Sequence, residues 1–117
     1  HTKWLLGPSE KVVGKQFDTV RVVGGGARSD TWCQILANVL DRTIVSPAQP
    51  LLSGIVGMAL YAGTALGEIT LHDVPGLISM PRVFEPDAST RGAYDQAYAE
   101  FPKLFSSQKA FFGRVNG

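Results

Sequence analysis

The sequence predicts an α/β fold, and three observations carry that prediction. A β-branched run, Val20-Arg21-Val22-Val23, ends in three consecutive glycines, Gly24-Gly25-Gly26, as a strand entering a tight turn does. Beyond the turn, Trp32, Ile35, Leu36, Val39 and Leu40 recur at i, i+3, i+4, i+7 and i+8, the spacing of a helix with one apolar face. A second short β-branched run, Thr43-Ile44-Val45, follows and is halted by Ser46-Pro47 and Pro50. Strand, turn, helix and strand in that order make the basic unit of a layered α/β protein.

Taken in chain order, Trp4-Leu5-Leu6-Gly7-Pro8 starts apolar and is broken by Gly and Pro, which reads as the end of a helix or a loop. Glu10 to Phe17 then reads as a short helix with Val12, Val13 and Phe17 on one side, so residues 1–19 form a helix or loop lead-in. Ser29 or Asp30 is suited to cap the helix that follows the glycines, because either side chain can accept from N–H groups left unpaired in the first turn. A second helix is expected from Ile55 to Leu66, with Met58, Ala59, Ala62, Ala65 and Leu66 inward and Gly54, Gly57 and Gly63 allowing close backbone approach. Such small residues lower intrinsic helicity and make sense where another element packs tightly. Residues 20–67 thereby read as one strand, turn, helix, strand and helix unit. His72 to Ser89 contain Pro75, Pro81 and Pro86 and read as an irregular surface crossing. From Thr90 a terminal helix carries Tyr94, Ala97, Tyr98 and Phe101, and Pro102 is expected to break or kink it before Leu104, Phe105, Phe111 and Phe112. Residues 68–117 are thus the crossing and the terminal helix.

Composition narrows the functions open to such a chain. Its 117 residues, 44% apolar, suit one compact domain with an ordinary core. Charged residues make up 18% and the net charge is +1, so no overall positive field draws in nucleic acid. Cys33 is the single cysteine; it cannot form an internal disulfide, and with two histidines it cannot complete a closed zinc site. A reducing, cytoplasmic setting fits that usage. No apolar run approaches the roughly 18 residues of a membrane-spanning helix. The N-terminus has neither a signal pattern nor an initiator Met, so the chain reads as cut from something longer.

The glycine turn is the main candidate for chemistry. Three glycines between a strand and a capped helix permit positive φ and let a ligand approach without meeting Cβ atoms. The helix start adds free N–H groups and the positive end of its dipole, which suit an anionic group. By pattern alone the glycines serve equally well as a sharp turn with no ligand. A dinucleotide fingerprint fits poorly, since Ser29 replaces the third glycine and the strand ending at Ser46 offers no acid for a ribose. A P-loop is ruled out because no Lys follows the glycines at the required spacing. Among other residues, Trp32 could stack near a base, but its place in the apolar stripe assigns it to the core. Arg28 is either a phosphate contact or an exposed loop arginine. Cys33, with no base nearby, is structural. His72-Asp73 belongs to the surface, and Tyr94, Tyr98, Phe101 and Phe105 form a helix face that docks on its own domain.

Gly24-Gly25-Gly26-Ala27-Arg28-Ser29-Asp30-Thr31-Trp32-Cys33-Gln34-Ile35-Leu36-Ala37-Asn38-Val39-Leu40 resembles the G-G-G-A-x-S-x-x-W-x-Q-I-x-A-D-V-L block of FGGY carbohydrate kinases, especially their xylulokinase-like branch. Gly57-Met58-Ala59-Leu60-Tyr61-Ala62-Gly63-Thr64-Ala65-Leu66-Gly67 is similar to that family's G-A-A-L-L-A-A-x-x-x-G helix. Trp4 to Pro8 upstream, and Tyr94, Tyr98 and Phe101 downstream of Pro86, keep the family order. The resemblance implies a two-domain kinase of the actin and ribonuclease H-like class, with ATP and sugar in the cleft between domains. This chain would be the second half of its ATP-side, C-terminal domain. Gly24, Gly25, Gly26 and Ala27 would lie along the nucleotide, with Ser29 and Asp30 bordering its adenosine end.

The same resemblance implies transfer of the γ-phosphoryl group of Mg-ATP to a ketose hydroxyl, D-xylulose first among the candidates. It places the sugar pocket, the carboxylate base, the phosphate-gripping turns and most Mg2+ ligands outside this chain, so no catalytic residue is assigned here. The chain departs from the family at Asn38, where Asp is usual, at Leu52 to Val56, where a charged residue often precedes the glycine, and at Met58 and Tyr61, which enlarge Ala and Leu positions. A non-catalytic module binding a nucleotide, an anion or a protein stays open as the alternative. So does a homo-oligomer formed through an exposed sheet edge and apolar helix faces.

Overall fold

The computed structural model describes residues 1–116, and the backbone alone of Asn116. The chain divides into two compact units, one formed by His1–Pro86 and a second beginning at Asp87.

In the first unit, helix α1 (Thr2–Val13) leads to strand β1 (Thr19–Arg21), a 3-10 turn (Gly26–Arg28), helix α2 (Asp30–Leu40) and strand β2 (Thr43–Ser46). A second 3-10 turn (Pro50–Leu52) opens helix α3 (Ser53–Ala65), and a short helix α4 (Val74–Leu77) precedes strand β3 (Arg82–Phe84). β1 runs parallel to β2, with Val20 opposite Ile44, and β3 runs antiparallel to β2, with Ser46 opposite Arg82. The strand, turn, helix and strand unit expected from the sequence is present, since a parallel pair requires a crossover and α2 supplies it. Ile44, Leu40, Ala37, Cys33 and Ala27 form the buried core, with Leu6, Val20, Val22, Leu36 and Phe84 packed around it.

The apolar stripe of α2 is rotated from its expected centre. Cys33, Ala37 and Leu40 are buried, whereas Trp32 is 50% exposed. Ala27, fully buried in the preceding turn, fills the core at this end of the helix, and the helix turns Trp32 outward. Ser29 is the residue that caps the helix: its Oγ accepts from the Trp32 N–H at 3.2 Å.

Gly7-Pro8 does not end a helix as expected, because α1 continues through it to Gly14, a left-handed C-cap with φ 71°. The helix is held on either side of the proline, by Leu6 against the core and by Glu10. Val12 and Val13, expected to face inward, are exposed, and Phe17 lies beyond the helix. Glu10 is the inward residue of that last turn. Its Oε1 accepts from the Phe17 N–H at 2.9 Å and from Arg42 Nη2 at 3.2 Å, and Arg42 Nη1 also donates to the Asp41 carbonyl.

The Phe17 N–H, and secondarily Arg42, hold the Glu10 carboxyl below its usual range. A carboxylate lowered in the folded state stabilises it fully above the ordinary glutamate value and ceases to as pH falls through the lowered one. Glu10→Gln should therefore lower the urea midpoint at neutral pH and flatten the loss of stability on acidification. An acid limb superimposable on the parent's would remove Glu10 from this role.

Two further expectations are corrected. Residues 72–89, read as irregular, contain α4 and β3; a three-residue strand is too short to show alternation, and prolines flanking an edge strand interrupt no ladder bond. On α3, Met58, Leu66, Ala59, Ala62 and Ala65 are exposed rather than inward, since nothing among the described residues covers that face. Of its glycines only Gly63 is closely approached, by Ile69, whose Cδ1 and Cγ1 lie 3.3 Å from where a Cβ would stand; Gly54 and Gly57 face open space.

The second unit is a 3-10 turn (Ala88–Thr90), capped by the Asp87 carboxylate accepting from the Ser89 N–H, and helix α5 (Arg91–Asn116). α5 runs through Pro102, where a break or kink was expected. Strong helix formers on both sides, including Ala97, Glu100, Lys103 and Leu104, carry it past the missing N–H.

Candidate functional site

The glycine turn leaves β1 where the parallel strands end. Val22 continues the ladder by donating to the Val45 carbonyl, and Gly24 then adopts φ 85°, a conformation open to glycine and strained for other residues. The Gly24 N–H donates to the Pro50 carbonyl at 2.9 Å, tying the turn to the start of α3. Ala27, Arg28 and Ser29 N–H groups close the 3-10 turn on the Gly24, Gly25 and Gly26 carbonyls, each at 3.2 Å.

The N–H groups of Gly25 and Gly26 make no hydrogen bond among the described residues. They border an open recess of about 370 Å³ lined by Gly25, Gly26, Arg28, Ser29 and Trp32. A Cβ on Gly25 would meet nothing within 4 Å, whereas one on Gly26 would meet Trp32 Cδ1 at 3.2 Å and Nε1 at 3.3 Å. The recess therefore has a backbone floor, an indole wall and an arginine at its rim. Such a combination suits an anionic group attached to a flat, apolar one.

Of the six residues singled out in the sequence, Gly25, Gly26 and Ser29 line the recess. Gly24 supplies the bend beneath it, and Ala27 is buried behind it. The Asp30 carboxylate turns to Arg82, which pairs with it through Nη2. Trp32, assigned to the core, is instead a wall of the recess. Arg82 was missed altogether, and its only sequence signal was a β-favouring Arg82-Val83-Phe84 triplet between two prolines. Cys33 is a core residue whose thiol donates to the Ala27 carbonyl at 3.7 Å. The Asp73 carboxyl accepts from the Thr70 N–H and hydroxyl, which lower its pKa and commit it to a local turn rather than to His72.

A second, larger groove of about 570 Å³ lies between the strand ends and α3, lined by Val23, Leu52, Val56, Leu60 and Met80 among others. Its only charged side chain is Arg21, and no carboxylate, histidine or cysteine lines it to act as an acid or base or to activate its serines. No helix among the described residues is long and apolar enough to cross a membrane.

The chain is an α/β crossover with unbonded glycine N–H groups at the strand ends, a place where α/β domains often bind ligands. Residues 3–66 match the FGGY family of carbohydrate kinases, C-terminal domain. The chain is 32% identical over 99 residues to the L-xylulose/3-keto-L-gulonate kinase of Escherichia coli, covering 83% of this chain and 20% of that protein. It is 28% identical over 99 residues to the autoinducer-2 kinase of Salmonella paratyphi B, covering 83% of this chain and 18% of that one. Ligand-bound xylulose kinase from Lactobacillus acidophilus superposes with a TM-score of 0.78 at 20% identity, over 95% of this chain and 23% of its own. The chain belongs to the FGGY family of carbohydrate kinases, with residues 3–66 matching their C-terminal domain, and its fold is the corresponding part of their actin-like fold. It spans about a fifth of the length of the curated relatives it matches.

Proposed function

We propose that this chain supplies one wall of the ATP site of a cytoplasmic sugar kinase, with Gly24, Gly25, Gly26, Ala27, Ser29 and Asp30 forming that wall. The observation that carries the reading is the pair of unbonded N–H groups at Gly25 and Gly26, opening on a recess where Gly25 leaves room for a ligand atom. Backbone donors fixed by a 3-10 turn can hold phosphate oxygens without reorganising, and the capped start of α2 adds its positive dipole end.

The whole kinase transfers the γ-phosphoryl group of ATP to a ketose hydroxyl, and D-xylulose, giving xylulose 5-phosphate, is the first substrate to test. Bound Mg-ATP supplies the transferable group and the metal's screening of its charge. Residues of this chain bind and orient the nucleotide. Among the described residues no three His, Cys, Asp or Glu side chains gather to hold a metal.

The test is ATP-dependent phosphorylation by the intact kinase of D-xylulose, L-xylulose and related ketoses, beside residues 1–117 alone. The intact protein should phosphorylate D-xylulose and the piece should not turn over. If no ketose is phosphorylated the reading fails. Turnover by residues 1–117 at a rate near that of the intact protein would refute the placing of the base outside this chain. Tight ATP binding by the piece alone would favour a self-sufficient nucleotide-binding module.

A further inference from the structure

The geometry points to Arg82 as a positioning residue for the nucleotide turn: it clamps the turn to the start of α2 and cancels the Asp30 charge beside the recess. This rests on the proposal that the turn faces ATP.

Arg82 arrives from β3, whose antiparallel register sets it opposite Ser46 at the end of β2. From there its guanidinium reaches across to the parallel neighbour's turn. Nη1 donates to the Ala27 carbonyl and lies 3.5 Å from Ser46 Oγ, while Nη2 donates to the Asp30 carboxylate. The Phe84 ring lies 5.5 Å from the guanidinium carbon and supports its flat face. One planar fork thus joins the middle of the 3-10 turn to the first residue of α2, across the Ser29 cap. The side chain is only 21% exposed, so its position is fixed by packing as well as by charge.

Both contacts bear on anion binding. Ala27 is fully buried, and without Arg82 its carbonyl would keep only the weak Cys33 thiol as donor. That carbonyl belongs to the peptide joining Ala27 to Arg28, so its relaxation would shift Arg28 and Ser29, which line the recess. Asp30, by contrast, is 78% exposed at its side chain, and unneutralised it would set a negative charge beside the recess proposed for a polyanionic nucleotide. Lysine would keep the charge but not the fork, because its single nitrogen lacks the two donors at fixed spacing that reach Ala27 and Asp30.

Mg-ATP affinity of the intact kinase tests this by calorimetry. Arg82→Ala should weaken ATP binding about tenfold, as expected for loss of a charge-assisted hydrogen bond, with the sugar's dissociation constant unchanged. Arg82→Gln, which can still donate to Ala27, guards against loss of folding and should also weaken ATP. Adding Asp30→Asn to either variant should restore about threefold of the loss, which a purely structural role would not do. The inference is overturned if Arg82→Gln binds ATP within about twofold of the parent, or if Asp30→Asn restores nothing. If Gly25→Val also leaves ATP affinity unchanged, the nucleotide reading itself fails; if Gly25→Val weakens ATP and the Arg82 variants do not, only the role of Arg82 fails.

Discussion

Truncation of Ile44 to alanine should lower the unfolding free energy by about 3 kcal/mol, read as a fall in the urea midpoint with an unchanged slope. Ile44 is fully buried in the central strand, flanked by Val20 on β1 and Phe84 on β3, and is the largest of the fully buried side chains. Apart from Leu40 the rest of the buried core is small: Ala27, Cys33 and Ala37 cannot move into the space, because each is fixed by the backbone of the turn or of α2. A cavity there would stay open, and its cost adds to the lost transfer energy. Val83, on the same sheet but 54% exposed, provides the contrast: Val83→Ala should stay within about 0.5 kcal/mol of the parent. Equal losses at both positions would mean that β3 rather than Ile44 limits the stability of the sheet.

The same burial pattern explains what could be read from the sequence. β1, the glycine turn, α2 and β2 were legible because their residues pack on each other, so periodicity and turn chemistry report on contacts within the segment. α3 was legible as a helix but not in its orientation. Alanine and glycine at 54, 57, 59, 62, 63 and 65 signal close packing without saying which side is packed, and of those glycines only Gly63 meets a neighbour. α1 was split in two because Gly7-Pro8 is a strong local stop, and the forces that override it are distant ones: Leu6 on the core, and Glu10 bound to Phe17 and Arg42. Local propensity cannot register a partner 32 residues away.

The site followed the same rule. Glycines and the cap announced the turn, since their conformational roles are local. Trp32 was misplaced because the buried face of the helix is rotated toward Cys33 and Ala37, with Ala27 filling the core at this end. Arg82 carried no signal beyond its short β-favouring triplet, because its meaning depends on β3 pairing with β2 in a register that puts it opposite Ser46. Its partners Ala27 and Asp30 lie 55 and 52 residues away.

Gly25→Val in the intact kinase should raise the KM for ATP by at least about tenfold and leave the sugar's dissociation constant unchanged. Gly25 has φ −60° and ψ −43°, ordinary helical values that valine can adopt, and a Cβ there points into open space. The fold therefore has no reason to resist the change, and the thermal midpoint without ATP should hardly move. What the new side chain fills is the approach to the Gly25 and Gly26 N–H groups. Gly24 separates this effect from simple damage to the turn: at φ 85°, Gly24→Val should cost about 1–2 kcal/mol of stability whether or not ATP is present. Replacement at two adjacent glycines should thus give opposite signatures, lost stability at 24 and lost ATP affinity at 25. If Gly25→Val instead weakened the sugar and spared ATP, the recess beside Trp32 would not be the nucleotide's place.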